Sequence, residues 1–189
     1  MPFPFSKPHV LVASKLVEAP DLITSKDLKP PSNARDEEFM EIALEQARVA
    51  ASRGEVPVGA VLVREEHVLA VGHNNREERQ NPTAHAEISV IEQGASQLGT
   101  WRLSETILYV TLEPCLMCVG AIIQARIPRL VFGTMDPKGG ACGSMFQVHE
   151  EPRLNHQVTV LSGVLEEACG AILQSFFQEL RLQESTLAQ

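Results

Sequence analysis

Apolar and polar positions change period several times along the chain. Phe39, Ile42, Ala43, Ala47 and Ala50 recur three and four residues apart. That predicts an amphipathic helix from about Asp36, ended by Gly54. Residues 56–63 form an apolar run of strand length, and 68–72, after a polar turn at 65–67, predict its hairpin partner. Residues 74–81 are polar and predict a loop. Helical spacing returns over 84–98, a strand follows at 107–112, a helix at 115–125 and a strand at 130–132. A glycine-rich loop spans 135–144, followed by a strand at 158–161 and a last helix over 166–182. Strands and helices alternate after the first hairpin, which implies α/β layers around one sheet.

Residues 1–35 break this pattern. Pro2, Pro4, Pro8, Pro20, Pro30 and Pro31 interrupt a stretch without apolar period, which predicts a disordered arm, a domain over 36–184 and a short tail over 185–189. The run Val10-Leu11-Val12-Ala13 is too short for a signal-peptide core; the first 17 residues lack acids, as a transit peptide would, but also lack Arg. At 189 residues and 44% apolar, the chain can bury one core of ordinary size. No stretch approaches the ~18 apolar residues of a membrane span. Four cysteines, two of them in a Cys-x-x-Cys pair, do not resemble a secreted disulfide framework. A reducing, cytoplasmic setting is expected.

Net charge is −8; the arm, with five Lys/Arg and three Asp/Glu, carries +2, leaving −8 − 2 = −10 for the remainder. This lacks the usual basic footprint of a nucleic-acid binder. Charge distribution matters more than the total, however. Arg126, Arg129, Lys138 and Arg153 fall in sequence around the candidate chemistry, whereas Glu37, Glu38, Glu41 and Glu45 lie on the first helix.

That chemistry lies in two short motifs. Pro-Thr-Ala-His-Ala-Glu at 82–87 and Glu-Pro-Cys-Leu-Met-Cys at 113–118 put His85 and Cys115 30 residues apart, room for a helix and a strand. Imidazole and thiolates suit zinc, and a catalytic zinc keeps one position for water. Cys115 and Cys118, three apart at a helix start, can share a face, where the helix N-terminus favours thiolates. Each motif alone has a plainer reading: a redox pair or buried thiols for the cysteines, a capping histidine for His85, a dipole-stabilised carboxylate for Glu87. Cys169, among Ala168, Ala171 and Ile172, is expected in the core. Cys142 in the glycine-rich loop and His156 are open between structural and substrate roles.

His-x-Glu followed by Pro-Cys-x-x-Cys is the signature of zinc-dependent nucleobase and nucleoside deaminases. Beyond it, the stretches 55–63 (Glu-Val-Pro-Val-Gly-Ala-Val-Leu-Val), 82–88 and 136–144 (Asp-Pro-Lys-Gly-Gly-Ala-Cys-Gly-Ser), with Asn155-His156 and Phe176-Phe177, make residues 36–181 resemble the tRNA adenosine deaminases. The resemblance implies a three-layer α/β/α fold with a mixed five-stranded sheet, and one zinc per subunit on His85, Cys115 and Cys118. It implies a homodimer, no nucleotide cofactor, and Glu87 as proton shuttle while activated water attacks C6 of adenine. By the same resemblance Asn74 would hydrogen-bond the nucleoside, the Ala86 N–H would hold the purine, and Val58 and the Pro114 carbonyl would line the pocket. Asp136 and Lys138, with Arg129 and Arg153 nearby, would meet the tRNA anticodon loop. The implied reaction is adenosine to inosine at wobble position 34. Against this, Glu150, Glu151 and a last helix with one base around 176–181 are more acidic than RNA contact favours. The alternatives are a deaminase of a free base or nucleoside, guanine or cytosine type, which needs no RNA surface, and a non-catalytic deaminase-like subunit, against which the presence of Glu87 argues.

Overall fold

The first apolar strand lies inside a five-stranded sheet of order β2-β1-β3-β4-β5 in the computed structural model, which describes residues 33–187. The elements run α1 (Asn33–Ser52), β1 (Gly59–Arg64), β2 (His67–His73), α2 (Arg76–Arg79), α3 (Ala86–Leu98), β3 (Thr106–Leu112), α4 (Leu116–Ala125), β4 (Arg129–Thr134), β5 (Thr159–Leu161) and α5 (Glu166–Leu187). β1 is antiparallel to both β2 and β3, while β3, β4 and β5 run parallel. The sheet is therefore mixed. The reading of residues 1–35 as an arm lies outside the described residues except for its last three, which are the first residues of α1. At the other end α5 continues to Leu187, into the stretch read as a tail.

Alternation along the central strands builds two cores. Ala60, Leu62, Leu108, Val110, Leu130 and Phe132 face α3 and α4. Val61, Val63, Tyr109 and Val131 face Phe39, Met40, Ala43 and Leu44 of α1 and Cys169 of α5. With both faces covered, these strands read as continuous apolar runs rather than alternating ones. A buried polar link ties the α1 layer to the sheet: Asp36 accepts from the Tyr109 hydroxyl and from Arg129, each at 2.9 Å. Arg129 is 8% exposed, so this cation, expected near RNA, is committed to the core.

Two differences from the predicted elements shape the functional edge. β1 starts at Gly59, not at 56: Pro57 has no N–H to give a ladder and the Val58 N–H turns back to the Val56 carbonyl at 2.8 Å, while at Gly59 the strand passes so close to α1 that a Cβ would lie 2.0 Å from the Ala43 carbonyl oxygen. Residues 55–58 are thereby released from the sheet. The polar stretch 74–81, read as a loop, contains the single turn α2. The amino end of β1 and the carboxyl ends of β2, β3 and β4 meet on one side of the sheet, and all the candidate chemistry follows or precedes these ends.

Candidate active site

His85 and Cys115 occupy equivalent places. Each has extended backbone (φ −80°, ψ 156° and φ −75°, ψ 172°) and immediately precedes a helix, α3 and α4 respectively. Both helices thus point their N-termini at one spot, and Cys118 comes in from the first turn of α4. His85 Nδ1 lies 3.8 Å from Cys115 Sγ and 3.6 Å from Cys118 Sγ, and the three ligand atoms are all within 4.8 Å of one another. Tetrahedral zinc with Zn–S of ~2.3 Å and Zn–N of ~2.0 Å requires ligand atoms roughly 3.5–3.8 Å apart. One imidazole and two thiols at these separations fit a metal ion with a fourth position to spare. A hydrogen bond from the Cys118 thiol, joined by His85, holds Cys115 down to about 3. The same bond and burial push Cys118 up, and the hydrogen bond with Cys115 raises His85.

Glu87, the second residue of α3, is 4% exposed, and burial pushes its carboxyl upward. His85, Cys115 and Glu87 line a cavity of about 130 Å³, together with Val56, Val58, Asn74, Arg76, Ala86, Leu112, Glu113 and Asp136. Pockets that enclose a drug-sized ligand run ~300–1,000 Å³, so this one suits a single heterocycle. Val56, Val58 and Leu112 give it an apolar side.

Two buried carboxylates hold the walls. Glu55, 1% exposed, accepts from the Glu77 and Glu78 N–H groups at 3.2 and 2.7 Å and from the Asn74 side-chain nitrogen at 3.1 Å. Glu113, 2% exposed, accepts from the backbone N–H groups of Asp136, Cys142 and Ser144 at 2.9–3.0 Å and from the Ser144 hydroxyl. Burial alone would push the Glu113 carboxyl up. The Ser144 hydroxyl and these N–H groups outweigh it and hold the carboxyl below its usual value. A Cβ on Gly140 would sit 2.2 Å from this carboxylate, so the close wrap of the loop requires glycine there.

Of the expected site residues, His85, Ala86, Glu87, Cys115, Asn74, Val58 and Asp136 line the cavity, and Cys118 completes the ligand group. Pro114 and Lys138 do not line it. The Pro114 carbonyl accepts from the Ala141 N–H at 2.9 Å. Lys138 lies in a separate surface groove with Leu173, Phe177 and Arg181 of α5. Arg153 is exposed and paired with Glu151. His156 Nε2 is bonded to the Ile127 carbonyl at 2.8 Å, a structural contact. Cys142 and Cys169 are buried thiols pushed up to about 12 by that burial.

Residues 34–181 match the MafB19-like deaminase family model. A tRNA-specific adenosine deaminase of Bacillus subtilis (strain 168) is 51% identical over 147 residues, covering 78% of this chain and 91% of that one. This chain belongs to the tRNA-specific adenosine deaminase family. A solved structure from work on A-to-I editing by tRNA:A34 deaminases superposes with a TM-score of 0.70 at 48% identity, over 72% of this chain and 99% of that one. A guanine deaminase from Nitrosomonas europaea superposes at 0.62 with 25% identity, over 89% and 98%. The three-layer α/β/α fold with its mixed five-stranded sheet is thus the deaminase fold.

Sequence reasoning on this deaminase missed Glu55, Val56, Arg76, Leu112 and Glu113 as parts of the site. A signal existed for two of them. Glu55 and Glu113 are acids set directly against apolar runs, at 56–63 and 107–112, where a carboxylate must be either exposed or fully bonded.

Proposed function

We propose that this deaminase converts adenosine to inosine at wobble position 34 of tRNA, with zinc held by His85, Cys115 and Cys118 and with Glu87 as the proton shuttle. The observation that carries this reading is the gathering of three zinc-type ligand atoms beside a buried carboxyl on the floor of one small cavity. When bound, zinc supplies Lewis-acid activation of water at neutral pH. Glu87 takes a proton from the attacking water as its oxygen adds to C6, passes a proton to ring N1, and helps protonate the departing amine. The C6–N bond breaks and ammonia leaves. A carboxyl raised by burial suits both accepting and donating.

Ala86, the first residue of α3, has an N–H without an intrahelical acceptor, free to hold the purine. Asn74 faces the nucleoside, Val58 packs on the base, and Asp136 stands at the mouth. Pro114 supports the loop through its carbonyl. Lys138, with Arg181, reaches RNA outside the cavity. The outward face of α3 and α4, where Ile88, Ile91 and Ala121 flank a groove beside the half-exposed Trp101, supports a homodimer; Ile122 and Ile123 of α4 belong to the core. Four free thiols and a tRNA substrate suit the cytoplasm.

The test is deamination of an anticodon stem-loop with adenosine at the first anticodon position, beside free adenosine, adenine, guanine and cytosine. Inosine formed in the stem-loop alone is the expected result. Turnover of a free base with the RNA untouched would overturn the substrate and leave the chemistry. No turnover by zinc-loaded protein would overturn both.

A further inference from the structure

We infer that Glu55 is a positioning residue for substrate recognition, turning the Asn74 side-chain amide so that its carbonyl oxygen is what the cavity is offered. The inference rests on the reading above, in which Asn74 meets the substrate.

The geometry leaves Asn74 little freedom. Its backbone N–H donates to the Val58 carbonyl at 2.9 Å, which fixes the main chain. Rotation of the amide is what remains, and an amide's oxygen and nitrogen ends are interchangeable in shape but opposite in hydrogen-bonding sense. A carboxylate only accepts, so the amide end facing Glu55 Oε2 must be the nitrogen. The oxygen then has no partner among the described residues, on a side chain that lines the cavity. Glu55 itself cannot turn. Its N–H is bonded to the Ala50 carbonyl at the end of α1, and its two oxygens are held by the Glu77 and Glu78 N–H groups. Among the described residues no cation is paired with it; its donors there are an amide nitrogen and two backbone groups. A site arranged this way offers the Asn74 oxygen as an acceptor to a substrate group that donates, a hydroxyl or an N–H.

The test is a double-mutant cycle on the full-length zinc enzyme, using Glu55→Gln, Asn74→Ala and the pair, with kcat and KM measured on the adenosine stem-loop. Zinc content and melting temperature are read alongside. Each single change is expected to lower kcat/KM by roughly ten- to a hundred-fold. The pair is expected to show kcat/KM no worse than Asn74→Ala alone, because Glu55 then has no side-chain amide left to orient, while the weakened hold on the Glu77 and Glu78 N–H groups is read in the melting temperature. Losses that multiply, or a Glu55→Gln enzyme as active as the native one, would overturn the inference, as would a fully active Asn74→Ala enzyme. Should Glu55→Gln not fold, Asn74→Asp tests the contact from the other side. It keeps an oxygen toward the cavity but sets another against Glu55, and unchanged kinetics would overturn the inference. A native enzyme that leaves the stem-loop untouched fails earlier, and so refutes the functional reading on which the inference stands.

Discussion

The floor and the walls of the cavity are built by opposite means. On the floor, side chains do the work: His85, Cys115, Cys118 and Glu87 converge because α3 and α4 both begin there. In the walls, backbone does it. Segment 74–78 and loop 136–144 are held by N–H groups that converge on single buried carboxylates, Glu55 and Glu113. In the proposed reading the floor carries the reaction, whereas the walls control what reaches it. Damage to the floor should therefore abolish chemistry with the fold intact, and damage to the walls should show first as lost stability or weakened binding.

Removing a proposed zinc ligand should break the floor most completely. Cys118→Ala leaves one imidazole and one thiol, too few for a catalytic zinc site. Metal content by mass spectrometry should fall below one ion per chain and turnover should vanish. Full occupancy would exclude Cys118 as a ligand. Glu87→Ala is the finer cut. It should keep zinc at one per chain and lose roughly 10²–10⁴-fold in kcat, the usual contribution of a positioned acid–base group. An active Glu87→Ala enzyme would end the shuttle assignment.

The same contrast explains what was legible in the sequence. The floor is written in residue types whose chemistry is specific and whose spacing is short, so two hexapeptides disclosed it, and the central strands announced themselves through apolar runs buried on both faces. The walls depend on backbone N–H groups, which every residue but proline owns and which leave no mark in a sequence. Glu55 and Glu113 could be named as buried acids only once the loops that wrap them were seen. Arg129 misled for a related reason: its partner Asp36 is 93 residues away, and nothing local distinguishes a core-bound arginine from an RNA-facing one.

Glu113→Gln tests the wall as a unit. Whichever oxygen becomes a nitrogen then faces donors instead of accepting from them. Leaving such a buried group unsatisfied costs about 1–3 kcal/mol, or a fall in melting temperature of roughly 2–4 °C per kcal/mol at this size. Zinc content should be unchanged. The pH dependence adds a signature. The folded-state carboxyl is held below its usual value, so its stabilising contribution is complete above the ordinary carboxylate range and is lost as pH falls toward the folded-state value. The native protein should therefore lose stability on acidification more steeply than the Glu113→Gln variant. Parallel acid limbs would show that the wall does not depend on the charge of this group.

Lys138 gives the smallest and most discriminating effect, since it belongs to the loop that Glu113 holds yet points away from the cavity into the groove beside Phe177 and Arg181. Its backbone N–H donates to the Asp136 carboxylate at 3.0 Å whatever its side chain is, so Lys138→Ala should leave the loop standing. A cation in that position can contribute only non-specific attraction to a phosphate. Its loss should raise KM for the stem-loop a few-fold, leave kcat and zinc content alone, and reduce the slope of log affinity against log salt by about one. A fall in kcat instead would mean that the Lys138 side chain orders the cavity itself, and the division between a floor that reacts and a periphery that only binds would have to be redrawn to include it.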